Sequence, residues 1–264
     1  FGYKVLPTYE PGAVFISYDK APLFFFDLER LAKNAQTQQL SLTKREFELY
    51  VSPDRAIYLL ASLTDTKQAV ALDIEGGVYG MSCVSFATSP HNAFIVPLNT
   101  YSHEDKIRVL RAMSKFLRST TPKILQNVLY DNLVLCWAYK MPICNVVHDT
   151  MLSGWEIYPE LSKGLATQTS VWTDQPYYKM HRGSTGQDLH RYCCTDSSVT
   201  YELAIKHRRN LSASSDAYKH FKFNMALLPA LLYMQLRGIT YDRTRADDAL
   251  SKACAGLAVL QTDI

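Results

Sequence analysis

Residues 69–77, Ala69-Val70-Ala71-Leu72-Asp73-Ile74-Glu75-Gly76-Gly77, run apolar into two carboxylates one residue apart and then stop at two glycines. A short apolar run bounded by turn residues reads as a buried central strand. Period two along a strand puts Asp73 and Glu75 on one face and turns Ile74 into the opposite layer. Two like charges at the end of a buried strand repel each other and lose hydration. A hard cation relieves both costs, and oxygen-only ligands suit Mg²⁺ or Mn²⁺. A lone D-x-E is more often a strand end with two solvated acids, so the reading needs further carboxylates elsewhere in the chain.

The surrounding pattern alternates strands and helices. Ser52-Pro53-Asp54 opens a helix with Ser at the cap and Pro at the first helical position. After the Asp73 strand, residues 81–87 and 93–97 read as strands joined by the turn Ser89-Pro90-His91-Asn92. A helix opens at His103, a short strand runs through Lys123 to Asn127, and a helix follows from Leu129 to Tyr139. Asn145-Val146-Val147-His148 is another strand, with Asp149 capping the next helix. Helices then begin near Leu165 and Gly186, and a helix through Met225 and Leu236 stops at Gly238 before a last one from Asp242. In residues 1–50, Val14 to Tyr18 alternates like a strand, and Asp27 is placed to cap a helix through Leu28 and Leu31. The architecture expected is α/β: a sheet of about five strands with helices on each side, followed by a C-terminal helical hairpin.

Bulk properties narrow the class. With 264 residues, 47% hydrophobic and 20% charged, the chain is an ordinary globule able to bury a full core. A net charge of +3 gives no global field, so partners must be argued from local patches. The 6 cysteines include no C-x-x-C pair and no zinc spacing, and they read as free thiols of a reducing compartment. No apolar run reaches the roughly 18 residues of a membrane helix. A first residue of Phe1 suggests a fragment.

Two more constellations supply the missing carboxylates. Asn127-Val128-Leu129-Tyr130-Asp131 sets an amide at a strand end and a carboxylate one turn into the next helix. Tyr192 and Asp196 stand at i and i+4 on one helix face. Asp73-x-Glu75, Asn127-x-x-x-Asp131 and Tyr192-x-x-x-Asp196 resemble, in order, the three motifs of the DnaQ-like (DEDD) 3′–5′ exonucleases, whose fold is RNase H-like. Tyr192 matches the DEDDy branch, because the DEDDh branch would want His where Arg191 stands. The flanks Tyr158-Pro159-Glu160-Leu161-Ser162-Lys163-Gly164-Leu165 and Arg237-Gly238-Ile239-Thr240-Tyr241-Asp242 resemble the proofreading domain of phage-like family A (DNA polymerase I-type) polymerases. The likeness covers residues 50–245. It implies an N-terminal appendage over residues 1–50, an exonuclease domain over 51–212, and a helical join over 213–264 resembling the start of a polymerase thumb.

The resemblance implies a chemistry as well. Asp73, Glu75 and Asp196 would bind one divalent ion, and Asp73 with Asp131 would bind a second roughly 3.5–4 Å away. Tyr192 would orient the attacking water, and 5′-mononucleotides would leave the 3′ end of DNA. Asn127 is expected to contact the terminal nucleotides, and Gly76 and Gly77 to let the backbone approach the terminal sugar. Tyr177, Tyr178, Lys179 and Arg182 mix aromatic and basic groups as single-strand channels do; an ordinary surface loop has the same composition. Asp149 resembles a structural acid of the family and stands outside the ligand set. The expected partners are a single-stranded 3′ DNA end and a DNA polymerase domain on the same or another chain, with no membrane. The setting is the cytoplasm of a bacterium or phage-infected host, or an organelle. Two other readings compete: a catalytically idle single-strand-binding scaffold of a polymerase, and an RNA-trimming exonuclease of the same superfamily.

Overall fold

In a computed structural model, residues 4–39, 42–181, 183 and 185–262 are described. The helices are Pro11–Ile16 (α1), Ala21–Ala35 (α2), Pro53–Leu63 (α3), His103–Arg118 (α4) and Val128–Tyr139 (α5). Then come Thr150–Ile157 (α6), Leu165–Trp172 (α7), Gly186–Ser212 (α8), Ser215–Arg237 (α9) and Arg243–Thr262 (α10). The strands are Glu46–Glu48 (β1), Val70–Gly77 (β2), Gly80–Ala87 (β3), Asn92–Val96 (β4), Lys123–Leu125 (β5) and Val146–Asp149 (β6). They form one 6-stranded sheet in the order β1-β4-β3-β2-β5-β6. The β2–β3–β4 meander is antiparallel, whereas β5, β6 and β1 join as parallel strands.

Alternation along β3 shows how the two faces are covered. The Ser85 hydroxyl donates to the Cys193 carbonyl of α8 at 2.7 Å. Its neighbour Phe86 points the other way, edge-on to Phe116 of α4 at 5.4 Å. Asp73 pairs with Ser85 across the β2–β3 ladder, so Asp73 lies on the α8 face. Val70, Ala71, Leu72 and Ile74 are all buried, as an apolar central strand requires. Ser52 caps α3 by accepting from the Arg55 amide, and Ser102 caps α4 by accepting from the Asp105 amide.

The mixed sheet flanked by helices is the architecture expected, with one strand beyond the five, β1, parallel to β4 in the register Glu46↔Asn92; three residues are too short to show periodicity. Two expectations need correction. Val14 to Tyr18 is not a strand: α1 begins at Pro11, whose fixed φ suits the first helical turn, and Phe15 is 91% exposed with no strand beside it. Asp27 caps nothing, because α2 already starts at Ala21. Phe26 of α2 packs its ring on Tyr158 and Trp172, and Arg30 donates to the Val171 and Thr173 carbonyls. No helix among the described residues is long and apolar enough to cross a membrane.

A buried polar trio ties α6 to α8. Ser153 Oγ lies 2.9 Å from both His148 Nε2 and His207 Nδ1. Burial lowers His148 to about 3 and His207 to about 4. A base with a depressed folded pKa gives its full stability above the unfolded value of about 6.5 and loses it as pH falls toward the folded one. Thermal melts should therefore lose about 2 kcal/mol per histidine by pH 5, and His207→Gln should flatten the slope between pH 6.5 and 5.

Candidate active site

Asp73 and Glu75 end the straight part of β2, and a register shift follows between Glu75 and Gly76. Gly76 has φ 131°, and a Cβ there would lie 2.3 Å from the Gly80 carbonyl oxygen and 2.8 Å from Met81 Cα. The tight hairpin therefore accounts for this glycine without any appeal to a sugar. At Gly77 a Cβ would meet only the Tyr130 hydroxyl at 3.7 Å, an ordinary contact. Gly76 thus has a structural reason to be glycine, and it also lines the cleft where substrate approach is expected. The Tyr130 hydroxyl donates to the Gly76 carbonyl at 3.2 Å, tying the hairpin to the first turn of α5.

Asp131 stands on that first turn, buried, behind Asn127 in the left-handed conformation (φ 60°, ψ 56°). Asp149 fixes both residues in place. Its carboxylate accepts from the amides of Asn127 (3.1 Å) and Val128 (2.8 Å) at the start of α5. It also accepts from Met151 (2.8 Å) and Leu152 (3.3 Å) at the start of α6. One acid thus caps two helices, which fills its lone pairs and leaves it outside the cleft-lining set.

Tyr192 and Asp196 lie one turn apart on α8, both buried. Asp196 is held by the segment before α8. The Tyr178 hydroxyl donates to Asp196 Oδ1 at 2.5 Å. The Lys179 ammonium donates to both Asp196 oxygens at 2.7 Å and to the Tyr192 hydroxyl at 2.9 Å. Tyr178 is only 9% exposed, so it positions Asp196 and is not free to stack on a base, contrary to the sequence expectation. Tyr177, 71% exposed, remains open at the rim. Lys163 is turned inward onto the Pro159 and Leu161 carbonyls and over the Trp155 ring. Arg182 lies outside the described residues.

Asp73, Glu75, Asp131, Tyr192 and Asp196 all line one cleft of about 620 Å³, together with Gly76, Asn127, Tyr177 and Lys179. Its charge is unbalanced. Burial, then the negative charges of Asp196, Asp131 and Glu75, push Asp73 well above the usual carboxylate range. Burial and the neighbouring Asp149 and Glu75 do the same to Asp131. Asp196 is raised by burial, with Lys179 pulling against it. Burial and the Asp196 charge also raise Tyr192, which therefore stays a phenol at neutral pH.

Among the described residues, Asp73, Glu75 and Cys193 bring three possible ligand atoms within 4.8 Å of one another. Burial keeps the Cys193 thiol protonated, and it donates weakly to the Asp73 carbonyl and Oδ2 at 3.6 Å. Nothing in the sequence marked this residue, because its role depends on how α8 lies on β2. The groups facing the cleft are hard oxygens carrying excess negative charge, and this donor set fits Mg²⁺ or Mn²⁺.

No protein-family profile matches the chain, and no curated protein matches it. Solved structures do. The POL domain of Pol1 from M. smegmatis, in complex with DNA primer-template and dNTP, aligns with a TM-score of 0.60 at 14% identity, over 77% of this chain. This chain spans only 34% of that one. The catalytic core of RRP6 from Trypanosoma brucei aligns at 0.56 and 17% identity, over 72% of this chain and 53% of that chain. NrnC from Brucella melitensis with bound Mg²⁺ aligns at 0.51 and 18% identity, over 74% and 94%. These likenesses define the fold: the mixed sheet with flanking helices is the RNase H-like fold of the DnaQ-type exonucleases.

Proposed function

We propose that the chain is a metal-dependent 3′–5′ exonuclease that removes 5′-mononucleotides from a single-stranded 3′ end. The observation that carries this reading is the convergence of Asp73 and Glu75, Asp131, and Asp196, from three distant segments, on one cleft lip. Nothing in the packing requires that concentration of buried charge. Asp73, Glu75 and Asp196 would hold one divalent ion, and Asp73 with Asp131 a second. Ions bound there would lower the pKa of a water and neutralise the phosphodiester oxygens. Tyr192, a phenol inside the cleft, orients the water by hydrogen bonding and does not act as a base. Asn127 and Tyr177 line the cleft and would flank the terminal nucleotide. The cleft lies within the range of pockets that take one small ligand, about 300–1,000 Å³. A terminal nucleotide is a ligand of that class.

The finer reading is proofreading for a family A DNA polymerase, with residues 51–212 as the exonuclease domain, 1–50 as an appendage and 213–264 as the join to the polymerase. The exposed apolar residues Leu250, Leu257, Val259 and Leu260 on α10 support a further domain or chain beside that join. RNA trimming is the second reading, supported by the similarity to NrnC bound to pGG (TM-score 0.53, 18% identity). Digestion of 3′-labelled single-stranded DNA and RNA of one sequence with Mg²⁺ tests both. Mononucleotide release from DNA, with RNA slower, is the expected result. Faster loss from RNA would favour trimming, and a label retained on both would end the nuclease proposal.

A further inference from the structure

Lys179 makes contacts that a surface lysine does not make. Its ammonium has three N–H donors, which go to Asp196 Oδ1 and Oδ2, both at 2.7 Å, and to the Tyr192 hydroxyl at 2.9 Å. The Tyr178 and Tyr192 rings face the same nitrogen, with centroids at 5.0 and 4.6 Å. The side chain is 14% exposed and that of Asp196 6%. This is a built cation site whose occupant is part of the chain.

The ammonium and a divalent ion compete for Asp196. Mg²⁺ and Ca²⁺ take oxygen ligands at about 2.0–2.6 Å, and the two Asp196 oxygens are already engaged by an ammonium whose like charge repels an incoming ion. The Asp73–Glu75 pair lies with Cys193 in one group of close ligand atoms, whereas the ammonium's donors go to Asp196 and Tyr192, so the pair and Asp196 differ in how readily they accept metal. We propose that Lys179 is a tethered counter-cation that must leave Asp196 before a divalent ion can use that carboxylate, and that a substrate phosphate draws it away. The inference rests on the nuclease reading for the identity of its ligands.

The chain around Lys179 allows such an exchange. Lys179–His181 is a single 3₁₀ turn between Pro176 and the left-handed Gly183 (φ 83°), outside every strand and long helix. Lys179 and Tyr192 both line the cleft, so the released ammonium stays beside the substrate phosphates. Metal and substrate binding then become coupled, and by linkage each strengthens the other to the same degree.

Mn²⁺ titration of the full chain, followed by the EPR signal of free Mn²⁺ and without nucleic acid, tests this. Lys179→Met should bind Mn²⁺ about tenfold or more tightly than the natural chain, and Lys179→Arg should not. Thymidine 5′-monophosphate should tighten Mn²⁺ binding in the natural chain more than in Lys179→Met. A measurement that needs no variant uses an amine-reactive label located by mass spectrometry: Mg²⁺ should increase labelling of Lys179. If Lys179→Met binds Mn²⁺ no tighter, or labelling of Lys179 does not rise with Mg²⁺, the exchange is wrong while the nuclease reading stands. If neither the natural chain nor the variants bind Mn²⁺, both readings fall together.

Discussion

Replacing Asp73 with Asn is expected to slow release of 3′-terminal nucleotides by roughly 10³-fold or more, and at neutral pH without metal to raise the melting temperature. The two effects share one cause. Asp73 is the acid most crowded by others, desolvated and facing Asp196, Asp131 and Glu75. Its folded pKa lies above the unfolded value, so the folded chain holds that proton more tightly than the unfolded chain. The stability linked to Asp73 is therefore greatest below the unfolded pKa of about 3.9 and is lost as pH rises through the folded one. At neutral pH the raised carboxyl group therefore costs stability relative to its unfolded state, and Asn keeps the shape without a group to ionise. Relief of about 1 kcal/mol corresponds to a rise of about 2–4 °C for a chain of this size. In the natural chain Mg²⁺ should give a similar rise, and in Asp73→Asn most of that gain should vanish. Melts at pH 7.5 with and without Mg²⁺, beside a 3′-label assay, report all of this. Undiminished cleavage by the variant would overturn the nuclease assignment; a large fall in melting temperature would overturn the electrostatic account.

Legibility from sequence followed periodicity and local chemistry. The β2 strand with Asp73 and Glu75 was readable because an apolar run, two acids and two glycines occupy nine consecutive positions. The helix α3 announced itself through its Ser52 cap with a proline at the first helical position. By contrast, β1 has three residues, and its strand character comes entirely from pairing with β4. The alternation at Val14 to Tyr18 gave a strand signal that Pro11 overrode. In the cleft, the i, i+4 spacing of Tyr192 and Asp196 was legible, whereas the inward turn of Tyr178 was not. An aromatic–basic loop has the same composition whether it stacks bases or packs beneath a carboxylate. Cys193, adjacent in sequence to Tyr192, reaches the back of Asp73 only because β2 and α8 cross there.

The largest effect on stability is expected at an acid that is not proposed to touch metal or substrate. Asp149→Ala should destabilise the chain by about 3–5 kcal/mol, a drop of about 10 °C or more in melting temperature. Its carboxylate serves four backbone amides, those of Asn127, Val128, Met151 and Leu152. Alanine would leave all four without that acceptor at the N-termini of α5 and α6, where helix dipoles also favour a negative charge. Asp149→Asn should fall in between, since one amide oxygen can accept from only part of the set. Asn127 and Asp131 sit on the turn that Asp149 organises, so cleavage should also weaken, but through loss of position. Mn²⁺ binding separates the roles. Asp149→Ala, titrated below its melting temperature, should still bind the ion through Asp73 and Glu75, whereas Asp73→Asn should melt high and bind poorly. A chain that loses Mn²⁺ on Asp149→Ala while keeping its melting temperature would make Asp149 a ligand and displace Asp131 from the proposed set.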